Sequence, residues 1–183
     1  MTDHQTAPTS QTANRTGTKT LIFHIGDRKT GSTSIQNVFA QKQVRLKGRR
    51  VFYPAQLSHN PLRQHFLAYD DPKDPAAHDR AVAAFEALAG RVRNARADFC
   101  LLSTETIESV DPAVFHKVLT THFGDVADEV RIVGYVRPHA ARFLSSFAER
   151  TKLGIPAVLK GSLDSYFDQV RADRRFLYLP RFR

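Results

Sequence analysis

The chain of 183 residues contains 42% hydrophobic and 25% charged residues, which are ordinary values for a soluble globular protein. They exclude a wholly disordered chain, a collagen-like fibre and a membrane channel, and at roughly 150 residues per domain the length accommodates one domain. The charge is less ordinary, because 27 Lys and Arg against 18 Asp and Glu leave a net charge of +9. A surface this basic predicts an anionic partner, whether a nucleic acid, an anionic lipid, a polyanionic glycan or a phosphorylated small molecule.

The N-terminal segment and the single cysteine indicate how the chain is organised and where the protein is located. Residues 1–18 are polar and rich in Thr, which predicts a disordered tail followed by one domain over residues 19–183. No apolar run approaches the roughly 18 residues that cross a bilayer, and the N-terminus lacks the apolar centre of a secretory signal. We therefore expect a cytoplasmic protein with no membrane span. Cys100 lies in an apolar run, so we expect a buried thiol and no Cys-rich zinc site.

The predicted elements alternate between strands and helices. Residues 20–25 predict a buried strand, and a glycine-containing loop at residues 26–31 leads into a helix over residues 32–46. A short strand at residues 51–53 precedes a long loop with a short helix over residues 55–75. The second half predicts an amphipathic helix around residues 80–93, a strand at 98–103, a helix opened by Asp111 as N-cap, a strand at 130–136 and a helix over 139–152. This alternation is typical of an α/β protein with a mainly parallel sheet covered on both faces.

The loop of residues 26–34 is the first candidate site. It reads Gly-Asp-Arg-Lys-Thr-Gly-Ser-Thr-Ser and runs into a helix N-terminus, where backbone N–H groups, the helix dipole, a lysine and hydroxyls can face an anion. The lysine precedes the second glycine, so the loop lacks the G-x-x-x-x-G-K-[ST] order of a Walker A motif. A plain helix N-terminus with surface charges is the alternative. The candidate anion-binding residues are Arg28, Lys29, Thr30, Gly31, Ser32, Thr33 and Ser34.

Polar residues also follow two other predicted strands, and open parallel sheets bind ligands at the carboxyl ends of their strands. Arg137 ends one strand and Ser145 follows eight residues later, so a guanidinium and a hydroxyl could converge on one phosphate. A surface Arg and a buried Ser are the alternative. Glu105 follows another strand and is a candidate general base, with a capping or ion-paired Glu as the alternative. No pair of histidines has metal-ligand spacing, so we expect no metal.

Together and in this order, these segments resemble the sulfotransferases that use 3′-phosphoadenosine-5′-phosphosulfate (PAPS), above all bacterial carbohydrate-sulfotransferase-like proteins. The run HIGDRKTGSTSIQ at residues 24–36 is similar to the 5′-phosphosulfate loop of that family. The run YVRP at residues 135–138, with Ser145, is similar to its 3′-phosphate motif, and GRRVFYP at residues 48–54 also resembles a family segment. The resemblance covers most of residues 20–183. It implies a P-loop NTPase-like three-layer fold with a mainly parallel central sheet flanked by helices.

The resemblance also implies a reaction and its residues. PAPS would be the co-substrate, and the acceptor would be a hydroxyl or amine of a carbohydrate or small molecule. Lys29 would contact the 5′-phosphosulfate and steady the leaving group, while the N–H and hydroxyl groups after it bind the 5′-phosphate. Arg137 and Ser145 would bind the 3′-phosphate. Glu105 matches the carboxylate that deprotonates the acceptor in some members. Other members use a histidine for this step, so His65 is the second candidate base. The alternative interpretation of His65 is a histidine without a catalytic role, in a loop or half-buried.

Two departures from the family stand in the sequence. Family members continue well past the point where this chain stops, so residues 177–183 look like the approach to a further segment and the chain looks C-terminally truncated. Asp27 also puts a negative charge beside the expected phosphate, and we expect Arg28 to offset it. The competing functions are a P-loop-like nucleotide kinase, which would need Mg²⁺ and ATP, and a non-enzymatic binder of nucleic acid or anionic glycan. No nucleic-acid recognition motif is present, so we expect no specific nucleic-acid partner.

Overall fold

Four parallel strands form the centre of the protein, as a computed structural model that describes residues 18–173 shows. The strand order is β2-β3-β1-β4. The predicted tail, apart from residue 18, and the predicted approach to a further segment at residues 177–183 lie outside the described residues. The prediction of an α/β fold with a parallel sheet is confirmed. The strands are β1 (Thr20–His24), β2 (Val51–Phe52), β3 (Phe99–Ser103) and β4 (Glu129–Val133).

The strand register brings the candidate segments to one edge of the sheet. Thr20 lies opposite Phe99 of β3 and Glu129 of β4, and His24 lies opposite Ser103 and Val133. Because β1, β3 and β4 begin and end at the same level, the chain leaves all three strands at the same edge. The loop after β1, the segment after β3 and the segment after β4 therefore meet there.

The helices follow the predicted alternation. The side chain of Asp111 accepts a hydrogen bond from the N–H of Ala113, and Pro112 occupies the first turn, as predicted for this helix start. The long loop predicted between the second strand and the amphipathic helix contains the short helix α2. The helices are α1 (Ser32–Ala40), α2 (Leu62–Tyr69), α3 (Pro75–Asn94), α4 (Pro112–Val118), α5 (His139–Lys152), α6 (Pro156–Leu159) and α7 (Leu163–Arg171), with a 3₁₀ helix at Glu105–Ser109 and a π-helix at Leu119–Phe123.

The core lies mainly on one face of the sheet. Phe23 is fully buried and packs edge-to-face against Phe115 and Phe123, with ring centroids 5.7 and 5.3 Å apart. Cys100 belongs to the same cluster and is buried, as predicted. On the opposite face, Gln36 of α1 is buried and donates to the Ser103 hydroxyl of β3. Helices thus cover both faces and give three layers.

The first helix is shorter than predicted, and its backbone explains why. It ends at Ala40 rather than near residue 46, because Lys42 adopts a left-handed conformation with φ 55°. The N–H of Gln43 then bonds to the carbonyl of Val38 at 3.0 Å, and the N–H of Lys42 to that of Phe39 at 3.1 Å. These two bonds form a Schellman closure, which usually carries a glycine at the left-handed position. With lysine there, the sequence offers no signal that the helix stops.

The last strand also ends earlier than predicted, at Val133 rather than residue 136. The pairing nevertheless continues as single hydrogen bonds, because Tyr135 N–H bonds to the Gly26 carbonyl and Asp27 N–H to the Tyr135 carbonyl, both at 2.9 Å. The start of the candidate loop is therefore tied to the segment that carries Arg137. Within residues 18–173, no helix combines the length and the apolarity needed to cross a membrane.

Candidate functional site

The candidate loop starts with a glycine that the packing requires. Gly26 has φ 78°, and a Cβ atom on it would lie 2.7 Å from both Cα and Cβ of Glu105. A side chain at this position would therefore clash with backbone, and the left-handed φ adds strain for any other residue. The absence of a side chain lets the segment after β3 pass directly over the loop after β1. Glu105 is thereby held against the loop that carries Lys29.

The hydroxyls at the start of the loop turn inward. Thr30 Oγ1 donates to the carbonyl of Asp27 at 2.5 Å, and Ser32 Oγ donates to the same carbonyl at 3.2 Å. Thr33 and Ser34 are exposed. Of the predicted anion-binding hydroxyls, the first two thus shape the loop, and the second two face solvent.

The N-terminus of α1 is open towards solvent. Gly31 precedes the helix in a left-handed conformation with φ 91°, and no side chain caps the helix. A Cβ atom on Gly31 would meet nothing within 4 Å. Uncapped N–H groups and the positive end of the helix dipole attract anions. This open helix start and the loop before it, named the cradle below, are where the predicted anion would bind.

The segment after β4 contacts the backbone of this loop through Arg137. Arg137 Nη1 donates to the carbonyl oxygen of Lys29 at 3.0 Å, although 108 residues separate them. Lys29 has φ 66°, which turns its carbonyl towards the segment after β4. Its ammonium group forms an ion pair with Glu149 of α5. An anion that takes Lys29 as a ligand must therefore compete with the Glu149 carboxylate.

A buried ion network lies beneath the loop, and sequence reasoning did not anticipate it. Arg142 Nη1 lies 3.1 Å from Asp27 Oδ2, and its Nη2 lies 2.8 Å from Glu108 Oε2. We expected Arg28 to offset the charge of Asp27; Arg28 is exposed, and the buried Arg142 pairs with Asp27. Burial raises the pKa of Glu108, and the Arg142 charge works against that increase.

The candidate bases lie in different surroundings. His65 lies on α2 with its ring centroid 6.2 Å from that of Phe85, and it lines a cavity of about 580 Å³ beside α3. Lys29 lines another cavity of about 70 Å³ with Arg28, Glu108 and Arg142. Neither His65 nor Glu105 lines the Lys29 cavity, and Glu105 packs on Gly26 at the start of the loop.

The hydroxyl predicted to join Arg137 lies on α5. Ser145 is half-buried in the second turn of this helix, which begins two residues after Arg137. Its neighbour Ser146 lines the small cavity with Lys29 and hydrogen bonds to the Tyr166 hydroxyl at 2.8 Å. Three polar side chains of α5, Arg142, Ser146 and Glu149, thus line the cavity beside the loop. The motif at the end of the strand gave no indication of them.

A second buried polar cluster closes the ends of β1 and β3. His24 Nδ1 lies 2.8 Å from Ser103 Oγ, and the Ser103 N–H donates to His59 Nδ1 at 3.0 Å. Burial lowers the pKa of His24 and lowers that of His59 to about 4. Because His59 Nδ1 accepts a hydrogen bond, its neutral ring carries the proton on Nε2. Within the described residues, Nε2 of neither ring has a hydrogen-bond partner.

The site offers little for a metal. Among residues 18–173, no three His, Cys, Asp or Glu side chains group closely enough to hold a metal ion. Of the carboxylates at the loop, Asp27 and Glu108 pair with Arg142, and Glu149 pairs with Lys29. The charged side chains at this edge are thus Arg and Lys cations paired with carboxylates, beside the open N-terminus of α1.

Comparison with solved structures gives similarity at the level of the chain fold only, at low sequence identity. No protein family and no curated protein matches the chain. A solved structure described as "Structure of Pnkp1/Rnl/Hen1 complex" is similar at 12% sequence identity and a TM-score of 0.43. The similarity covers 70% of this chain and 39% of that chain.

Proposed function

We propose that this chain binds a doubly phosphorylated adenosine nucleotide of the PAPS type and transfers its sulfuryl group to a hydroxyl or amine. The observation that carries the proposal is the hydrogen bond from Arg137 Nη1 to the Lys29 carbonyl at 3.0 Å. This bond joins the Arg137 guanidinium to the backbone of the loop that carries Lys29 and leads into α1. Two separate anionic groups of one ligand, a 5′-phosphosulfate and a 3′-phosphate, match two cations supplied by two loops.

Each part of the cradle has a distinct role in this proposal. The N–H groups at the start of α1 and the exposed hydroxyls of Thr33 and Ser34 would bind the 5′ side of the nucleotide. The guanidinium of Arg137 would bind the 3′-phosphate through its forked N–H groups, with Ser145 from α5 beside it. Lys29 would exchange Glu149 for the 5′-phosphosulfate. The residues present thus fit the anionic groups of the ligand.

The proposed chemistry follows from charge and position. The bound nucleotide would supply the sulfuryl group, and sulfuryl transfer, like phosphoryl transfer, depends mainly on positioning and on stabilising the charge of the leaving group. Lys29 would stabilise that charge. Glu105, held against Gly26, would accept the proton of the acceptor hydroxyl or amine. A carbohydrate or small-molecule acceptor and a cytoplasmic location belong to the same proposal.

A ligand-induced change in melting temperature tests the proposal. Adenosine 3′,5′-bisphosphate should raise Tm of the full chain, because a ligand that binds only the folded state stabilises it. Lys29→Ala and Arg137→Ala should each remove the increase, whereas Lys160→Ala, which removes an exposed charge far along the chain, should retain it. Adenosine 5′-phosphate should give a smaller increase in the parent protein, because it has no group for Arg137.

Two outcomes would contradict the proposal. An unchanged Tm at millimolar adenosine 3′,5′-bisphosphate would show that the cradle does not bind this nucleotide. A larger increase with Mg²⁺ and ATP would favour the nucleotide kinase. If the bisphosphate binds, transfer of labelled sulfate from PAPS to a panel of sugar and phenol acceptors, lost in Glu105→Gln and retained in His65→Gln, would test the reaction and its base.

A further inference from the structure

A basic groove runs beside β2, the edge strand of the sheet. One wall is the segment between α1 and β2, and the other is formed by the C-terminal end of α3 and residues 95–97, enclosing about 1200 Å³. The groove begins at Phe39 and Ala40, the C-terminal end of α1. Since α1 has nine residues, at about 1.5 Å per residue the groove begins roughly 13 Å from the candidate loop. It shares no lining residue with the Lys29 cavity.

The charge of the groove has one sign. Seven of its lining side chains are Lys or Arg, five from residues 42–50 and two, Arg91 and Arg96, from the opposite wall, and none is Asp or Glu. All seven are exposed. Within residues 18–173, Arg49 is the one among them that pairs with a carboxylate, that of Asp98 at 3.3 Å. Seven like charges that line one groove repel one another, and an anion bound among them would reduce that repulsion.

The rest of the lining is aromatic and aliphatic. Phe39, Phe52 and Tyr53 are half-buried in the groove wall, and the rings of Phe39 and Tyr53 lie 5.8 Å apart at an angle of 34°. The Tyr53 hydroxyl donates to the carbonyl of Leu57 at 2.7 Å. Gln56 is the other uncharged polar side chain of the lining. The groove thus combines cations with planar rings and has almost no side chain that accepts a hydrogen bond.

The combination of cations and aromatic rings favours one class of polyanion, nucleic acid, over another, glycans. Sugar hydroxyls both donate and accept hydrogen bonds, and a lining without carboxylates and with one amide offers them few side-chain acceptors. A single nucleic-acid strand needs cations for its phosphates and ring faces for its bases, which is what the lining provides. One amide cannot read base edges along a strand. We propose that this groove binds single-stranded nucleic acid without sequence preference, independently of the proposed nucleotide site.

Binding of a labelled oligothymidylate of about 12 nucleotides, followed by fluorescence anisotropy with the full chain, tests the proposal. Affinity should fall steeply with salt, by a slope of about 0.7 per phosphate contact. The triple variant Arg45→Ala/Lys47→Ala/Arg96→Ala should bind at least about tenfold more weakly and lower that slope, since three contacts are lost. The matched triple variant Arg80→Ala/Lys152→Ala/Lys160→Ala, which removes three exposed charges outside the groove, should bind as the parent does.

A separate variant tests whether the aromatic rings of the groove contribute to binding. Phe39→Leu keeps an apolar side chain but removes the ring face, and it should weaken oligothymidylate binding by about fivefold or more. Alginate and polyglutamate of equal charge should bind more weakly than the oligonucleotide. Equal affinity for alginate, an unaffected Phe39→Leu variant, or the same loss in both triple variants would overturn the proposal. The Tm of each variant shows whether it folds. If Phe39→Leu does not fold, the oligothymidylate affinities of the two triple variants decide the test.

Discussion

Arg142 and Asp27 form an ion pair that is almost wholly shielded from water: Nη1 and Oδ2 lie 3.1 Å apart, and the side chains are 4% and 0% exposed. The same guanidinium reaches Glu108 at 2.8 Å. One side chain of α5 therefore ties the loop after β1 to the 3₁₀ helix after β3. The negative charge of Asp27 is thus buried and paired with Arg142, and its side chain is not exposed to solvent at the loop.

Removing the guanidinium should be costly. Arg142→Met leaves two buried carboxylates without their counter-charge, and breaking a buried pair in this way typically costs about 3–5 kcal/mol. We expect urea unfolding to show a loss of this size in the free energy of unfolding. Arg142→Met combined with Asp27→Asn and Glu108→Gln should recover much of it, because no uncompensated charge remains. A triple variant as unstable as the single variant would show that the network acts through packing.

Substitution of Gly26 should be far worse than substitution of another left-handed glycine. Gly26→Ala would put Cβ 2.7 Å from Glu105 Cα, whereas Gly48, with φ 70°, has nothing within 4 Å of the added atom. Gly48→Ala should cost about 1 kcal/mol from its backbone conformation alone. We expect Gly26→Ala to cost several times as much in thermal or urea unfolding. Equal losses would show that the segment after β3 moves away easily.

Stability should fall as the pH falls below neutrality, because of His59. Burial lowers its pKa from 6.5 to about 4, so between these values the unfolded chain binds a proton that the folded chain does not. The stability that neutral His59 contributes is present above pH 6.5 and lost as the pH falls towards 4, by about 3 kcal/mol in total. His24, whose pKa burial also lowers, acts in the same direction.

Variants of single histidines separate this effect from the rest of acid unfolding. His59→Asn should flatten the dependence of the unfolding free energy on pH between 6.5 and 4. His116→Asn, at an exposed position, should leave it as steep as in the parent. A steep dependence that persists in His59→Asn would assign the pH response to other groups.

Releasing Lys29 should strengthen anion binding. Glu149 pairs with Lys29 at the mouth of the loop, where the two side chains are 47% and 30% exposed. Glu149→Gln should bind adenosine 3′,5′-bisphosphate about threefold more tightly in calorimetry, a size typical of exposed ion pairs. Glu86→Gln removes a negative charge at another exposed position and should have little effect. Equal increases in both variants would show a response to net charge alone.

The alternation of elements was readable from the sequence, because buried strands and amphipathic helices carry their own hydrophobic periodicity. The Asp111 cap and the start and end of α5 were predictable for the same local reasons. The end of α1 was not, because Lys42 occupies a left-handed position where a glycine would have signalled the stop. On α5, periodicity indicates apolar positions such as Phe143 and Phe147, while the buried residue of this helix is Arg142.

Some features of the candidate site were likewise indicated by the sequence, whereas others depend on the tertiary structure. Composition and local patterns indicated a basic α/β protein with a loop of glycines, cations and hydroxyls before its first helix. Only the tertiary structure decided that Arg137 bonds to Lys29, that Arg142 neutralises Asp27, and that His65 lines a cavity apart from that of Lys29. The physical reason is that propensity and periodicity act over a few residues, whereas ion pairing and burial depend on which strands become neighbours, and the parallel register β3-β1-β4 sets that.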